Sequence, residues 1–155
     1  MHVRVAEIMT NATVTDSTTV SLASAAGLMW RQQTGSLVIV DGDEIVGIVT
    51  ERDVLRTVAT GKDLDSVVVA DVMTTNVVTT TPDTPVRDAA RQMARDWIRH
   101  LPVVDSEGRL VGMVSQRDIT GVFAALLRGA GVPEIDTDTL VRQRRLARLE
   151  PGDLD

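Results

Sequence analysis

The chain contains no cysteine and no tyrosine, and its aromatic residues are limited to one phenylalanine and two tryptophans. Without cysteine, a disulfide framework, a thiol nucleophile and a cysteine-ligated zinc site are all excluded. The two histidines, His2 and His100, are too few for a histidine metal cluster, so no metal site is predicted. The scarcity of aromatic rings also leaves no platform on which the bases of a single-stranded nucleic acid could stack.

Positive charge is also scarce, because 16 lysine and arginine residues stand against 22 aspartate and glutamate residues and the formal net charge is −6. Affinity for nucleic-acid backbones is supplied by excess lysine and arginine, so we expect no nucleic-acid partner. The first ten residues, MHVRVAEIMT, lack the apolar run of a signal peptide. No segment approaches the ~20 apolar residues of a membrane span, so we expect no membrane partner and a cytoplasmic location.

The chain has 155 residues and consists largely of one duplicated unit. An offset of 64 positions aligns Val5–Asp41 with Val69–Asp105, and 13 of these 37 pairs are identical. After one inserted residue, Ile45–Val54 aligns with Leu110–Ile119, with five of ten pairs identical. Such self-similarity indicates two copies of one structural unit. We predict a first repeat over residues 1–64, a second over 65–130, and a C-terminal extension over 131–155 with a helix at about 137–149.

Each copy shows the same order of patterns. Apolar residues at spacings of three and four predict amphipathic helices, and short β-branched runs separated by turns predict hairpins. The predicted helices are Leu22–Gln33, Glu51–Ala59, Val86–Trp97 and Gln116–Leu127, and the predicted strands are Val14–Thr15, Leu37–Val40, Ile45–Val49, Val78–Thr79, Leu101–Val104 and Leu110–Val114. The predicted fold is therefore α/β (α+β), with two β-α-β-β-α repeats packed as a pseudo-twofold pair. We expect Trp30 and Trp97 to be core or interface residues, and Met9, Met29, Met73 and Met93 to be core residues.

The most similar stretches are GIVTERD, residues 47–53, and GMVSQRD, residues 112–118. A hydroxyl followed three residues later by a carboxylate at a helix start is typical of a capping box, worth about 1 kcal/mol. A nucleotide site accounts for more of the motif. The helix N-terminus, the hydroxyl and an arginine, Arg52 or Arg117, can bind phosphate, and the aspartate can bind ribose hydroxyls. Glycine ahead of the motif would admit a close backbone approach. On these residues alone both interpretations stay open.

Beyond this motif, the repeated VAEIMT and VADVMT segments, the AA-x-x-M helices and the strand RHLPVVD resemble the cystathionine β-synthase (CBS) domain. Two such domains in tandem resemble a CBS pair, or Bateman module, over about residues 3–128. The resemblance implies clefts between the repeats for an adenosine-containing ligand: AMP, ADP or ATP, with S-adenosylmethionine or NAD as alternatives. It implies a regulatory ligand rather than a prosthetic group, and a homodimer that acts on an effector protein not identifiable from the sequence.

By matching position, the resemblance implies that Asp53 and Asp118 hold ribose and that Thr50 and Ser115 meet phosphate. It places the adenine edge against backbone at Val14, Thr15 and Asp16 and at Val78, Thr79 and Thr80. The cleft lining falls on Ser36 in the first copy and on Arg99, His100, Leu101 and Pro102 in the second. Because the second copy carries basic groups where the first has Ser36, we expect the second to bind phosphate more tightly.

No nucleophile with a base, carboxylate pair or metal-ligand set is recognisable, so the sequence predicts a regulatory protein and not an enzyme. Binding of an adenosine ligand would change the conformation or the dimer packing. The alternative is a constitutive dimerisation or scaffold module with no ligand, in which the aspartates serve only as helix caps. We expect a dimer surface at Val122, Phe123, Leu126 and Leu127.

Overall fold

The computed structural model describes residues 3–11 and 13–127, so the predicted C-terminal helix and the extension from residue 131 lie outside the described residues. The elements are β1 (Thr15–Asp16), α1 (Leu22–Gln32), β2 (Ser36–Asp41), β3 (Glu44–Thr50), α2 (Glu51–Ala59), α3 (Val86–Asp96), β4 (His100–Val104), β5 (Leu110–Ser115) and α4 (Gln116–Leu127). The predicted α/β fold with two β-α-β-β-α repeats is confirmed. In the second copy the first strand is reduced to a parallel bridge between Thr80 and Val103.

The long helices of the two copies, α1 and α3, end in the same way. Gln33 and Trp97 follow the last helical residues with φ of 52° and 54°, in the left-handed region. This conformation ends each helix one residue earlier than the pattern predicts. Trp97 is 85% exposed, and Trp30, on the last turn of α1, is 66% exposed. The expectation that these tryptophans are core residues is therefore wrong, and the alternative that they lie at a subunit interface stays a prediction.

Contacts between residues divide the described chain into two compact units, each described separately below. The first unit comprises residues 13–78 and 108–110. Its sheet has the order β1-β2-β3, with β1 parallel and β3 antiparallel to β2. Ser36 at the start of β2 lies opposite Thr50 at the end of β3. One face of α1 packs with the sheet in an apolar core formed by Leu22, Ala25, Met29, Leu37, Ile39, Val49, Val67 and Val69.

The second unit comprises residues 3–11, 79–107 and 111–127. Strands β4 and β5 form its hairpin. Thr80 extends the sheet, because its N–H donates to Pro102 O at 3.0 Å and its carbonyl accepts from Val104 N at 2.9 Å. Its buried apolar residues include Val5, Ile8, Val86, Ala89, Met93, Leu101, Val103, Val114, Ile119 and Val122. Val122 is thus a core residue, and its predicted place on a dimer surface is wrong.

The opening segments of the repeats, residues 3–10 and 67–74, each belong to the compact unit of the other repeat. Val3 O accepts from Val86 N at 2.9 Å, and Val67 O accepts from Leu22 N at 2.8 Å, so each segment satisfies the first N–H of a long helix. Each segment also contains a single 3-10 turn, Val5–Glu7 or Val69–Asp71, which the sequence patterns do not predict. The opening segment of each sequence repeat therefore packs in the compact unit that the rest of the other repeat forms.

The glycines of the repeated motif are explained by this exchange. A Cβ atom at Gly47 would overlap Met73 Sδ, and one at Gly112 would lie 2.9 Å from Met9 Sδ and 3.0 Å from Thr10 O. Thr10 and Met113 also exchange backbone hydrogen bonds of 2.9 and 3.0 Å. Glycine at both positions thus makes room for an opening segment. The sequence had suggested instead that these glycines admit a ligand close to the backbone.

Gly47→Ala is expected to destabilise the protein by about 1–3 kcal/mol, because the new methyl group must displace Met73 from a packed position. Chemical unfolding of the single variants and of Gly47→Ala with Met73→Ala measures the effect. The costs of the two changes should be less than additive. Gly121→Ala is the control: its Cβ meets nothing within 4 Å in α4, so it should stabilise by roughly 0.5–1 kcal/mol. An unaltered stability in Gly47→Ala would refute the packing argument.

Candidate functional site

The first candidate site lies where β3 passes into α2. Asp53, on the first turn of α2, is 7% exposed. Its Oδ2 accepts hydrogen bonds from both the backbone N–H and the hydroxyl of Thr50, each at 2.8 Å. Thr50 and Asp53 form the predicted capping box, and Glu51 N at the helix start donates to Gly35 O at 3.1 Å. The hairpin and helix therefore hold this carboxylate in one position.

The second candidate site repeats the arrangement where β5 passes into α4. Asp118 Oδ2 accepts from Ser115 N at 2.7 Å and from Ser115 Oγ at 2.6 Å, while Asp118 N donates to Ser115 Oγ at 3.3 Å. Gln116 N donates to Arg99 O at 2.8 Å, as Glu51 does to Gly35. This bond brings the residues before β4 to the N-terminus of α4.

The two carboxylates differ at their second oxygen. Arg56, one turn along α2, donates from Nη2 to Asp53 Oδ1 at 2.8 Å. Gly121 stands at the matching position of α4, and Asp118 Oδ1 has no hydrogen-bond partner among the described residues. The second site therefore presents an open carboxylate oxygen, whereas the first presents one already bonded to a cation.

An unsatisfied hydroxyl adjoins the first site. Ser36 is 2% exposed, and its Oγ has no hydrogen-bond partner in the described part of the chain. Directly opposed residues of an antiparallel pair share one face, so Ser36 Oγ lies on the same side of the sheet as the Thr50 hydroxyl. Burying a hydroxyl without a partner costs about 1–3 kcal/mol. A polar ligand at Thr50 and Asp53 would supply that partner.

His100 takes the place of Ser36 in the second site. Burial, together with the positive charges of Arg99 and Arg117, lowers the pKa of His100 from 6.5 to about 4. The imidazole is therefore neutral at pH 7. Arg99 and Arg117 are exposed, and neither forms an ion pair with a residue that the structure describes. Two arginines without counter-charges thus lie close enough to His100 to influence its protonation.

The backbone segments expected to meet adenine differ between the units. β1 is an edge strand, with Val38 N donating to Val14 O at 3.3 Å, so one side of Thr15 faces away from the sheet. Thr79 comes just before the bridged residue Thr80, and its carbonyl accepts from Gln92 Nε2 at 3.1 Å. A base at the second site would therefore lie near a side-chain amide as well as backbone.

The described fold distributes the predicted site residues between the units. The first unit contains Val14, Thr15, Asp16, Ser36, Thr50, Arg52 and Asp53, together with Val78. The second contains Thr79, Thr80, Arg99, His100, Leu101, Pro102, Ser115, Arg117 and Asp118. Leu101 and Pro102 are buried, so their contribution is packing and backbone position. Val78 and Thr79 are consecutive residues on either side of the boundary between the two units.

Sequence reasoning missed Arg56 and Gln92. Arg56 lies three residues after Asp53, a spacing at which helical side chains interact, and that spacing could have predicted the ion pair. Gln92 stands where the first copy has Leu28, and a polar residue replacing an apolar twin is also readable from the alignment of the copies. Neither residue belongs to the repeated motif at residues 47–53 and 112–118.

Fold and site together define a tandem-repeat α/β protein. In each repeat a hairpin leads into a helix, and an aspartate on the first turn of that helix accepts hydrogen bonds from the last residue of the hairpin. The CBS domain family matches residues 5–60 and 69–125, and the chain belongs to this family. Within the described residues, no helix is long and apolar enough to cross a membrane. These residues also contain no group of three or more metal-ligating side chains.

Among curated proteins, an uncharacterized protein of Methanopyrus kandleri is 39% identical over 122 residues, which are 77% of this chain and 62% of that protein. A homoserine O-acetyltransferase of Methanohalobium evestigatum is 36% identical over 120 residues, 77% of this chain but 24% of the enzyme. The similarity thus spans about three fifths of the first relative and a quarter of the second. Some longer relatives are therefore enzymes.

Two solved structures carry adenosine-containing ligands. A CBS domain protein from Pyrobaculum aerophilum complexed with AMP has a TM-score of 0.74 and 32% identity, covering 81% of this chain and 97% of that one. The CBS domain pair of protein MJ0100, in complex with 5′-methylthioadenosine and S-adenosyl-L-methionine, has a TM-score of 0.73 and 30% identity. The likeness covers 81% of this chain and 99% of that one.

The neutral, buried state of His100 predicts a pH dependence of stability. Unfolded chain takes up this proton below about pH 6.5, whereas folded protein does so only near 4. The stabilisation is therefore complete above pH 6.5 and decreases as pH falls towards 4. Urea unfolding of wild type and His100→Gln should show a difference in this window on the order of 2 kcal/mol or less. Parallel pH profiles of the two proteins would contradict a buried neutral imidazole.

Proposed function

We propose that this CBS pair is a cytoplasmic regulatory module that binds an adenosine nucleotide through Asp53 and Asp118. AMP, ADP and ATP are the favoured ligands, and S-adenosylmethionine and NAD are the alternatives. The observation that carries the proposal is the state of Asp118: its cap holds one oxygen in place, and Oδ1 has no hydrogen-bond partner within residues 3–11 and 13–127. The ligands of the two related structures, AMP and S-adenosyl-L-methionine with 5′-methylthioadenosine, support the ligand class.

Ribose fits the geometry of this carboxylate. A carboxylate accepts about four hydrogen bonds, and Ser115 occupies two acceptor positions of Asp118, both on Oδ2. Two vicinal hydroxyls can donate to the remaining positions. Because the cap already holds the carboxylate in place, little conformational entropy is lost on binding.

Phosphate fits the surroundings of the second site. The N-terminus of α4 provides a positive dipole end, and Arg99 and Arg117 can donate charge-assisted hydrogen bonds. The neutral His100 can donate one bond or become charged next to an anion. In this arrangement the Ser115 hydroxyl donates to Asp118, and a hydroxyl has one proton to give. Contact between Ser115 and phosphate would require that hydroxyl to rotate.

The first site has fewer charged groups with which to bind phosphate. Ser36 Oγ is an uncharged group, Gly35 stands where Arg99 does, and Arg52 supplies the matching positive charge of the motif. We therefore propose that phosphate binds more tightly at the second site. A micromolar ligand requires about 8 kcal/mol, which a base contact, a ribose clamp and a phosphate site together can supply. Regulation follows when the ligand favours one conformational or assembly state over another.

Calorimetric titration with AMP, ADP and ATP tests the proposal. Wild type should bind at least one of them, and Asp118→Asn should weaken the second site by roughly tenfold or more through loss of charge-assisted bonds. His100→Ala and Asp118→Ala address the same site. Unchanged affinity in both Ala variants would refute the assignment of the tighter site. Circular dichroism establishes that each variant is folded.

The scaffold alternative has support of its own, because the capping bonds of Asp53 and Asp118 form without any ligand. A thermal-shift series with AMP, ADP, ATP, S-adenosylmethionine and NAD separates the two functions. A ligand at one hundred times its Kd should stabilise the protein by ~2.7 kcal/mol. No shift with any of them would favour the scaffold.

We also propose that the module is a homodimer, with α2 or α4 at the interface. Leu55 and Val58 on α2 are 67% and 55% exposed, and Phe123 on α4 is 44% exposed. Exposed apolar side chains on neighbouring turns are typical of protein interfaces. The side chains of Leu126 and Leu127 lie outside the described part of the chain.

Phe123→Ser and Leu55→Ser are expected to weaken the dimer by at least tenfold in Kd, because each removes apolar area from the interface. Analytical ultracentrifugation over a concentration series measures the change. Arg91→Ser, on the exposed face of α3, is the control. If both apolar variants sediment as wild type does, these helices are not the interface.

A further inference from the structure

Arg56 makes the two sugar sites chemically different. Its guanidinium Nη2 donates to Asp53 Oδ1 at 2.8 Å and also approaches Val72 O at 3.4 Å. The Arg56 side chain is 61% exposed, whereas the Asp53 side chain is only 10% exposed. The cation therefore covers the one oxygen of the carboxylate that the helix cap leaves open.

Counting acceptor positions shows what this contact removes. An ionised carboxylate offers about four. In Asp53 the Thr50 N–H and hydroxyl take two and Arg56 takes a third, so one remains. In Asp118 the Ser115 N–H and hydroxyl take two, and two remain. Both hydroxyls of a vicinal diol can be bonded at Asp118, but only one at Asp53 while Arg56 is in place.

We propose that Arg56 is a specificity-determining residue that limits the first site to one sugar hydroxyl, while the second site binds the vicinal pair. This inference rests on the proposed nucleotide function. At the first site either hydroxyl of the ribose satisfies the single free acceptor position, so loss of the other costs little. At the second site each hydroxyl has its own acceptor position, so loss of either leaves one unfilled.

Gly121 provides the reciprocal case. It occupies the position of α4 that matches Arg56 in α2, and a Cβ atom there would meet nothing within 4 Å. An arginine at this position therefore has room to leave the helix. On the first turns of a helix, residues three apart are neighbours, so its guanidinium would reach Asp118 as Arg56 reaches Asp53.

Calorimetry with AMP, 2′-deoxyAMP and 3′-deoxyAMP tests the inference. An Asp118→Ala background reports on the first site alone. There, each deoxy analogue should bind within about twofold of AMP, since one acceptor position is filled in every case. With Arg56→Ala added, AMP should bind more tightly, and each analogue should then be weaker than AMP by roughly tenfold, the value of one charge-assisted bond.

An Asp53→Ala background reports on the second site. The deoxy analogues should be weaker than AMP by roughly tenfold there, and Gly121→Arg should reduce that penalty to about twofold. Gly121→Ala is the matched control, because it adds the helix-favouring Cβ without a cation, and it should keep the tenfold penalty. Circular dichroism of each variant confirms that it is folded.

The outcomes separate the inference from the function on which it rests. If wild type binds no nucleotide, both are overturned. If AMP binds but the deoxy penalty at the first site is the same with Arg56 and with Arg56→Ala, the role of Arg56 is overturned and the nucleotide function stands. If the first site binds no AMP in the Asp118→Ala protein, recovery of binding in Arg56→Ala supports the inference and continued absence overturns it.

Discussion

The carboxylate that accepts hydrogen bonds from the end of a β-hairpin is the interaction on which each repeat depends. Asp53 and Asp118 accept from the last residue of a strand and stand on the first turn of the following helix. The aspartate carboxylate therefore links the end of the hairpin to the start of the helix, and its hydrogen bonds hold it in place. A carboxylate restrained in this way is also suited to bind a sugar. The same bonds would serve stability and the proposed ribose contact, which is why a capping interpretation and a nucleotide interpretation of the motif both fit its residues.

Exchange of the opening segments is the second constraint. Val3 and Val67 supply backbone acceptors to the first N–H groups of α3 and α1, and the methionines that follow them lie against glycines of the opposite hairpins. A repeat cut out at its sequence boundaries would lose both contacts. Each copy therefore depends on the opening segment of the other copy, residues 3–10 or 67–74, to complete its packing. Gly47 and Gly112 are required because a side chain there would occupy the space of the exchanged segment.

Much of the fold is predictable from the sequence because the periodic patterns are strong and occur twice. The helices after the hairpins, Glu51–Ala59 and Gln116–Leu127, have the predicted bounds. Gln33 and Trp97 were misplaced because a left-handed residue is not evident from composition when it is not glycine. The exchange of opening segments could not be predicted, because a repeat alignment shows which residues correspond and not which copy each one contacts.

In the candidate site, the capping pairs were predictable from spacing. The buried Ser36 hydroxyl and the engaged Asp53 oxygen depend on side-chain directions that spacing does not define.

Because the chain is duplicated, equivalent residues of the two repeats can be compared with each other. Met29 and Met93, which fill the same place on α1 and α3, are identical and equally buried at 4% exposure. Around the carboxylates the twins differ in charge and polarity: Ser36 against His100, Leu28 against Gln92, and Arg56 against Gly121. The capping bonds do not require these differences, because Thr50 with Asp53 and Ser115 with Asp118 form the same pair of bonds. Under the proposed function, differences of charge and polarity beside a shared capping arrangement change what each site binds and leave the capping bonds in place. The two copies are therefore, under the proposed function, two sites of different selectivity rather than one site present twice.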